Sequence, residues 1–177
     1  MTNILIGNAI CFLGSIIMVL IGFIKERKKF LLAQGGMNAF FIVGNLFLNG
    51  ISGAIANACT MLRNIVCLKF KMNVPIKLFF IGLQVALTFC FGADSIIMWL
   101  PILGAGVFTW YMDTDNMTLL KAVTIGGQLC WLIYDIYILN FATVPFDIAA
   151  CITNTIALVA IIRNGKIETD EKNNTDS

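Results

Sequence analysis

Histidine is absent from the 177-residue chain, which excludes histidine-based acid–base catalysis and metal sites built from imidazole ligands. Charge is also scarce, because Asp, Glu, Lys and Arg make up 12% of the residues, against about 25% in soluble domains. The net charge of +2 offers no basic surface of the kind that binds nucleic acid. With 59% hydrophobic residues, the composition predicts an integral membrane protein surrounded by the lipid bilayer.

No residue pattern in the chain is typical of an enzyme, a metal site or a cofactor site. All six cysteines lie in apolar runs and none forms a C-x-x-C pair, which predicts small buried hydrophobic residues. A nucleophile–base pair, a metal cluster and a glycine-rich phosphate loop are all missing from the sequence. We therefore expect no catalytic residues, no metal, no cofactor and no enzymatic activity.

Seven apolar runs, each near the roughly 20 residues that span a bilayer, predict an all-α membrane protein. The expected transmembrane helices are residues 4–24, 30–48, 51–70, 75–92, 94–112, 118–139 and 144–162. Lys and Arg lie in the 1–2 and 3–4 connections and after helix 7, which predicts an outside N-terminus and a cytoplasmic C-terminus. This orientation also places the acidic 5–6 turn, with Asp113 and Asp115, in the cytoplasm. Orientation depends on the distribution of Lys and Arg, and acidic residues contribute little to it, so the prediction stands.

Polar residues recur at helical spacing inside the apolar runs. Helix 6 has Gln128, Trp131 and Asp135 at i, i+3 and i+7, and in helix 7 Asp147 and Asn154 are seven apart. Because seven residues of helix turn through about 700°, the side chains of each set share one face. In a bilayer such a face turns to the interior of the helix bundle or to a wet cavity.

An internal repeat aligns helices 1–3 with helices 5–7 at an offset of 90 residues. Asn38, Phe41 and Asn45 then match the polar stripe of helix 6, and Asn57 and Asn64 match that of helix 7. Three helices are an odd number of crossings, so the first repeat ends on the side of the membrane opposite to the one where it began. Helix 4 is needed to cross back, so that the second repeat begins on the same side as the first. The expected division is a first three-helix repeat (1–70), a linker helix (71–93), a second repeat (94–163) and a disordered cytoplasmic tail (164–177).

This 3+1+3 plan, with Pro101 inside helix 5, resembles the SWEET and PQ-loop superfamily of membrane proteins. The segments GAIANACTMLRN (53–64) and WLPILG (99–104) resemble more closely the YgjV family of bacterial inner-membrane proteins, over residues 1 to about 165. The resemblance implies a multi-pass protein of the bacterial inner (plasma) membrane. It implies no substrate, because we know of none established for that family.

In SWEET-like proteins, an aromatic residue and an Asn from the second and third helices of each half frame the substrate. Phe41 with Asn57, and Trp131 with Asp147, are similar in placement. Asp147 departs from the Asn pattern, which favours a proton-coupled or cationic small solute over a sugar. Asp135 is the most deeply placed carboxylate, so we expect it to be the coupling or recognition group.

The candidate substrate-binding residues are Asn38, Phe41, Asn45, Asn57, Asn64, Gln128, Trp131, Asp135, Asp147 and Asn154. The candidate gating residues are Arg63, which would close the inner side of a path, and Pro101, which would kink helix 5. Several structural roles remain as alternatives. The amides would bridge helices, Arg63 would snorkel to the interface, Asp147 would cap helix 7, and Asp135 would bind a structural partner such as Tyr134 or Tyr137.

The sequence therefore favours a small-solute transporter or facilitator with a central polar site between two three-helix repeats. The alternative is a membrane protein that moves no solute, such as a receptor or an assembly or structural partner. The KDEL receptor has this architecture and binds a peptide signal, so the fold does not decide between the two. The sequence also leaves open the solute, the coupling ion, the direction of movement and whether the chain forms a homo-oligomer.

Overall fold

Seven α-helices and one 3-10 turn make up the computed structural model, which describes residues 1–21, 27–70, 72–91, 95–114 and 116–175. The helices are α1 (Thr2–Ile21), α2 (Arg27–Phe47), α3 (Ile51–Lys69), α4 (Val74–Phe91), α5 (Leu100–Tyr111), α6 (Met117–Tyr137) and α7 (Val144–Thr175). The described residues contain no β-strand. The prediction of an all-α protein with seven helices is confirmed.

The helices have the length and surface that a bilayer requires. Five of them, α1, α3, α4, α6 and α7, are long and apolar enough to cross a membrane, and α2 and α5 contain the shorter apolar stretches Leu31–Phe47 and Ile96–Tyr111. Large apolar side chains such as Val43, Leu46 and Ile133 point outward and are exposed. In water this surface would be unstable, so it is the surface that contacts lipid.

One difference from the sequence prediction is the length of α7, which continues to Thr175 through most of the segment expected to be a disordered tail. The membrane-spanning part of α7 ends at Arg163, close to the expected end of helix 7. Adding residues to an existing helix needs no new nucleation, so a polar segment can continue a helix that apolar residues began.

A second difference concerns Pro101, which does not kink the interior of a helix. It lies in the first turn of α5, directly after the 3-10 turn Ile96–Trp99. Proline has no backbone N–H, and the first turn of a helix is where that donor has no helical partner in any case. The sequence prediction was wrong here because the continuous apolar run 94–112 hid the junction between the two kinds of helix.

Packing groups the helices into two sets of three. The most extensive contacts join α1 to α2, α2 to α3, α5 to α6 and α6 to α7, whereas α4 makes smaller contacts with α3 and α5. We call α1–α3 the first half and α5–α7 the second half. Helix α3 also contacts α5, so the two halves meet directly as well as through the α4 linker.

The second helices of the two halves are alike in length and in how they end. Helices α2 and α6 both have 21 residues, and their last residues, Phe47 and Tyr137, are 90 positions apart. Each is followed by a residue in the left-handed backbone region, Asn49 with φ 56° and Leu139 with φ 62°. Left-handed backbone is unfavourable for leucine, so Leu139 occupies a conformation that the repeated turn imposes on it.

Hydrogen bonds in the two turns match at the same offset. The Gly50 N–H donates to the Asn45 carbonyl at 2.7 Å, and the Asn140 N–H donates to the Asp135 carbonyl at 2.8 Å. Asn45 and Asp135 are therefore held by equivalent turns, and both side chains are buried, at 2% and 5% exposure. This local geometry supports the expected 90-residue repeat.

Contacts between the halves are also reciprocal. Asn8 of the first half accepts a hydrogen bond from the Ala142 N–H at 2.8 Å and donates to the Leu139 carbonyl at 2.9 Å, in the α6–α7 turn. At the position equivalent to Asn8, Met98 of the second half accepts a hydrogen bond from Ser52, in the α2–α3 turn, at 3.4 Å. Because Asn8 and Met98, and Ser52 and Ala142, are each 90 residues apart, the contacts match those of a pseudo-twofold arrangement.

The acidic 5–6 turn is explained by an ion pair. Asp113 binds Lys77 at the start of α4, and Lys77 Nζ also donates to the Trp110 carbonyl at 2.9 Å. The 3–4 and 5–6 connections therefore lie at the same end of the bundle. Asp113 is therefore paired with a basic residue at the end that carries the basic connections, as the predicted orientation requires. Asp115, the other acidic residue of this turn, lies outside the described residues.

The orientation can be tested with single cysteines at exposed positions of a cysteine-free variant. Asn3 and Lys28 are exposed, and they lie in the first turns of α1 and α2. We expect an impermeant thiol reagent to label Asn3→Cys, and not Lys28→Cys, in intact cells, because basic connections stay in the cytoplasm. Labelling of Lys28→Cys alone would reverse the orientation, and permeabilised cells provide the control in which both positions react.

The repeat can be tested by cross-linking. In the same cysteine-free background, the pairs Asn8→Cys with Ala142→Cys and Ser52→Cys with Met98→Cys should both be joined by a short bifunctional thiol reagent, because each pair is in contact. Intramolecular cross-linking is measured by the shift of the chain on denaturing gels, with the four single variants as controls. Joining of one pair and not the other would contradict reciprocal contacts between the halves.

Candidate functional site

A cavity of about 280 Å³ lies between the two halves. Its lining includes nine residues that the sequence singled out: Asn38, Phe41, Asn45, Asn57, Arg63, Gln128, Trp131, Asp135 and Asp147. They come from α2, α3, α6 and α7, so the polar stripes of both halves meet at one place. At about 30 Å³ for each water molecule, the cavity has room for roughly nine waters or a small organic solute.

Asp135 is held by donors from the turn that follows α6. Asn140 Nδ2 donates to Oδ1 at 3.1 Å, and the Thr143 hydroxyl donates to Oδ2 at 2.8 Å. The carboxyl group is 5% exposed. Neither Tyr134 nor Tyr137 donates to it, since the Tyr134 hydroxyl instead accepts the Gly53 N–H at 2.8 Å and Tyr137 is 47% exposed.

Asp147 extends from the first turn of α7 into the cavity. Its Oδ1 accepts a hydrogen bond from Gln128 Nε2 at 2.5 Å, and its carboxyl group interacts directly with that of Asp135. No described residue donates to Asp147 Oδ2. A shared proton, a water molecule or a ligand would supply the missing hydrogen bond. We call Asp135 and Asp147 the carboxyl pair. Asp147 therefore lines the cavity and also lies in the first turn of α7, where the helix dipole favours a carboxylate, so both interpretations describe its position.

Arg63 also lines the cavity, on α3, and is 2% exposed. Its Nη1 donates to the Thr109 hydroxyl at 2.7 Å, and its Nη2 donates to the Asn64 side-chain oxygen at 3.2 Å. The guanidinium lies 5.9 Å from the centre of the Phe108 ring. Arg63 thus points into the bundle, and the alternative that it snorkels to the interface is wrong.

Several buried polar atoms of the cavity lining have no hydrogen-bond partner among the described residues. They are Asn38 Nδ2, Asn45 Oδ1, Arg63 Nε and Asn140 Oδ1, in addition to Asp147 Oδ2. A buried polar group without a partner costs free energy, on the order of 1–3 kcal/mol, so these atoms call for water or a ligand. The cavity is therefore suited to bind water molecules or a polar ligand.

Asn64 and Asn154, two predicted binding residues, lie outside the cavity lining. Asn64 Nδ2 donates to Gln34 Oε1 at 2.8 Å, and Lys121 Nζ donates to Asn154 Oδ1 at 2.9 Å. Each Asn therefore bridges the third helix of its half to the second helix. The structural alternative describes the position of both residues, and Pro101 likewise lies outside the cavity lining.

One end of the cavity, beside the α2–α3 and α6–α7 turns, is closed by apolar packing between the halves. We call Cys11, Leu48, Tyr134 and Ile138 the turn-end cluster; all four are buried and in mutual contact. Phe41 and Trp131 of the cavity wall pack against this cluster. The turn-end cluster therefore packs the two halves against each other at this end.

Glycine makes this closure possible. A Cβ at Gly53 would lie 2.7 Å from the Tyr134 ring and hydroxyl, and one at Gly50 would lie 2.6 Å from that hydroxyl. The fully buried Tyr134 therefore fits against the α2–α3 turn only because both positions lack a side chain.

Sequence reasoning missed Asn140 and Thr143, because both lie in a turn that was treated only as a connection. A signal was present: an acid near the end of a membrane helix needs donors, and these are the first polar side chains after Asp135. It also missed Gln34, although Asn38 follows it at i+4 on the same helix, and Thr109, which has no polar neighbour at helical spacing within α5. Among the described residues, no three Cys, Asp or Glu side chains converge to hold a metal ion.

A sequence profile of the Imp-YgjV family, described as bacterial inner membrane protein, matches residues 5–165. The match covers the seven apolar helices and the whole cavity. The chain belongs to the Imp-YgjV family. It is therefore a multi-pass protein of the bacterial inner membrane. No curated protein and no solved structure matches the chain significantly.

The closed end of this Imp-YgjV protein can be tested with two matched substitutions in helices. Gly53→Ala places a methyl group against Tyr134 and should lower the free energy of unfolding by about 1–3 kcal/mol, as overpacking does. Gly126→Ala is the control, because a Cβ there meets nothing within 4 Å. Thermal unfolding of both variants in detergent gives the comparison, and equal midpoints would show that Tyr134 does not fit against Gly53 as described.

Proposed function

We propose that this Imp-YgjV protein moves a small solute across the inner membrane through the cavity between its halves, with the carboxyl pair carrying a proton. The observation that carries the proposal is the buried cavity of about 280 Å³ with polar atoms that have no partner in the described chain. Bound water or solute in the cavity would supply the partners that these atoms lack. No enzymatic activity is part of the proposal.

The carboxyl pair supports the coupling to protons. Two carboxylates in contact repel each other strongly, and one proton between them removes the repulsion and supplies a hydrogen bond. Asn140, Thr143 and Gln128 donate to the pair, so its geometry persists whether or not the proton is present. Cys11 and Tyr134 are the other titratable groups close to Asp135.

The arrangement of the halves supports alternating access. The reciprocal contacts of Asn8 and Met98 and the turn-end cluster close one end, and all of them join the two halves. A rocking movement of one half against the other would open that end without breaking the packing inside each half. The resemblance to SWEET and PQ-loop proteins, whose parallel repeats surround a central site, favours the same mechanism.

Transport can be tested in proteoliposomes that contain a pH-sensitive dye. Under an inward proton gradient, monocarboxylates, amino acids, monosaccharides and alkylamines are added separately, and solute entry and internal pH are followed together. We expect the transported class to carry protons inward with the wild-type protein. Asp135→Asn should abolish the proton movement and the gradient-driven uptake, because an amide keeps the shape but cannot ionise.

Asp113→Asn is the matched control, because this carboxylate binds Lys77 outside the cavity and its loss should leave coupling intact. Wild-type uptake and pH response in Asp135→Asn would remove the carboxyl pair from the mechanism. If the wild-type protein moved none of the four classes, the transport proposal would fail. The result would then favour the alternative, a receptor or an assembly or structural partner.

A further inference from the structure

Among the described residues, no carboxylate lies within ion-pair distance of Arg63. The ion pair found in the described part of the chain joins Lys77 to Asp113, and the partners of the Arg63 guanidinium are the neutral side chains of Thr109 and Asn64. A buried charge is stable only when it is paired or binds an ion. Arg63 is nevertheless 2% exposed and lines the cavity. The carboxyl pair lines the same cavity but forms no ion pair with the guanidinium, so an anion in direct contact with Arg63 would have to enter from the cavity.

The neighbours of Arg63 hold it in one orientation. The Thr109 hydroxyl donates to the Ala105 carbonyl at 2.6 Å and so presents a lone pair to Nη1. Asn64, in turn fixed by Gln34, presents its oxygen to Nη2. These contacts use one bond at each terminal nitrogen, and Nε has no partner among the described residues. The donors that remain are therefore available to one planar acceptor.

We propose that Arg63 binds the carboxylate of a small monocarboxylate solute in the cavity. A guanidinium matches a carboxylate because its parallel N–H donors meet the two oxygens as a fork. The cavity of about 280 Å³ is far larger than one inorganic ion needs, and Phe108 and Trp131 are among the residues that line it with Arg63. These rings give the carbon skeleton of the solute an apolar wall.

The carboxyl pair restricts the solute to a single negative charge. Asn57, the residue of α3 that aligns with Asp147, lies six residues before Arg63, or about 9 Å along the helix. A second carboxylate on the solute would be directed from Arg63 towards Asp135 and Asp147 and would be repelled. This inference rests on the proposed function, in which the pair takes up a proton. A monocarboxylate bound with that proton crosses with no net charge.

Binding can be measured on the purified wild-type protein in detergent, independently of transport. The probes are acetate, L-lactate and butyrate, each compared with its neutral amide of the same shape, and with chloride as an inorganic anion at the same ionic strength. We expect at least one carboxylate, and none of the amides or chloride, to raise the thermal unfolding midpoint. No effect of any carboxylate, or an equal effect of an amide or chloride, would overturn the proposal.

Variants then assign the binding to Arg63. Arg63→Gln should weaken binding of the effective carboxylate by about thirtyfold or more, because it removes the charge that pairs with the solute. Arg63→Lys keeps the charge, loses the planar fork and should bind with intermediate strength. Lys121→Gln is the control, because Lys121 is a half-buried cation that binds Asn154 outside the cavity lining. Wild-type binding by Arg63→Gln would overturn the assignment.

The outcomes separate this inference from the proposed function. If Arg63→Gln does not fold, the comparison of carboxylates with amides on the wild-type protein, together with Arg63→Lys, still decides the matter. If carboxylates bind and are not transported, Arg63 is an anion site in a protein that is not a transporter. If proteoliposomes take up another class and no carboxylate binds, transport stands and the assignment of Arg63 is wrong.

Discussion

The interior of a bilayer offers no water to a polar side chain, and the arrangement of this protein depends on that constraint. Every amide and acid within the apolar helices must find a partner from the protein or from a cavity. The two halves meet this requirement by turning their polar faces towards each other. Asn38, Asn45 and Asn57 from one half face Gln128 and Asp135 from the other across the same cavity.

The same constraint acts differently on polar residues outside the cavity lining and on those within it. Asn64 and Asn154 each bridge two helices of one half, and these bonds persist during any movement of one half against the other. Asn38 and Asn45 have polar atoms without a partner in the described chain, at the surface where the halves face each other. In the proposed movement of one half against the other, such atoms would exchange partners, because none of them is tied to one group.

Much of the fold and part of the site could be predicted, because both follow from periodicity. The length of apolar runs gave the helices, and the spacing of Gln128, Trp131 and Asp135 correctly placed all three side chains on the cavity. Helical spacing could not show that Asn57 lines the cavity and that Asn64 does not. Both lie on one face of α3, and only the positions of neighbouring helices decide which of them meets the cavity and which meets Gln34.

Other features have no periodic signal at all. Asn140 and Thr143 act from a turn, where side-chain direction depends on backbone angles that a single sequence does not specify. The left-handed backbone of Leu139 is a further example, since leucine is not a residue that predicts it. The burial of Arg63 could not be predicted from the sequence either. An arginine that snorkels to the interface and one that points into the bundle occupy the same helix position and differ only in side-chain direction.

The two halves share a backbone plan but differ in charge at three matched positions. The first half has Asn45, Asn57 and Arg63 where the second half has Asp135, Asp147 and Thr153. A dimer of two first halves would place two guanidiniums and no carboxyl group around the cavity. A dimer of two second halves would place four carboxyl groups and no guanidinium there. Neither homodimer could close without bound counterions. If the chain arose by duplication of one half, the two copies had to change at these three positions in a coordinated way. Fusion into one chain then ensures that each cavity is built from one half of each kind.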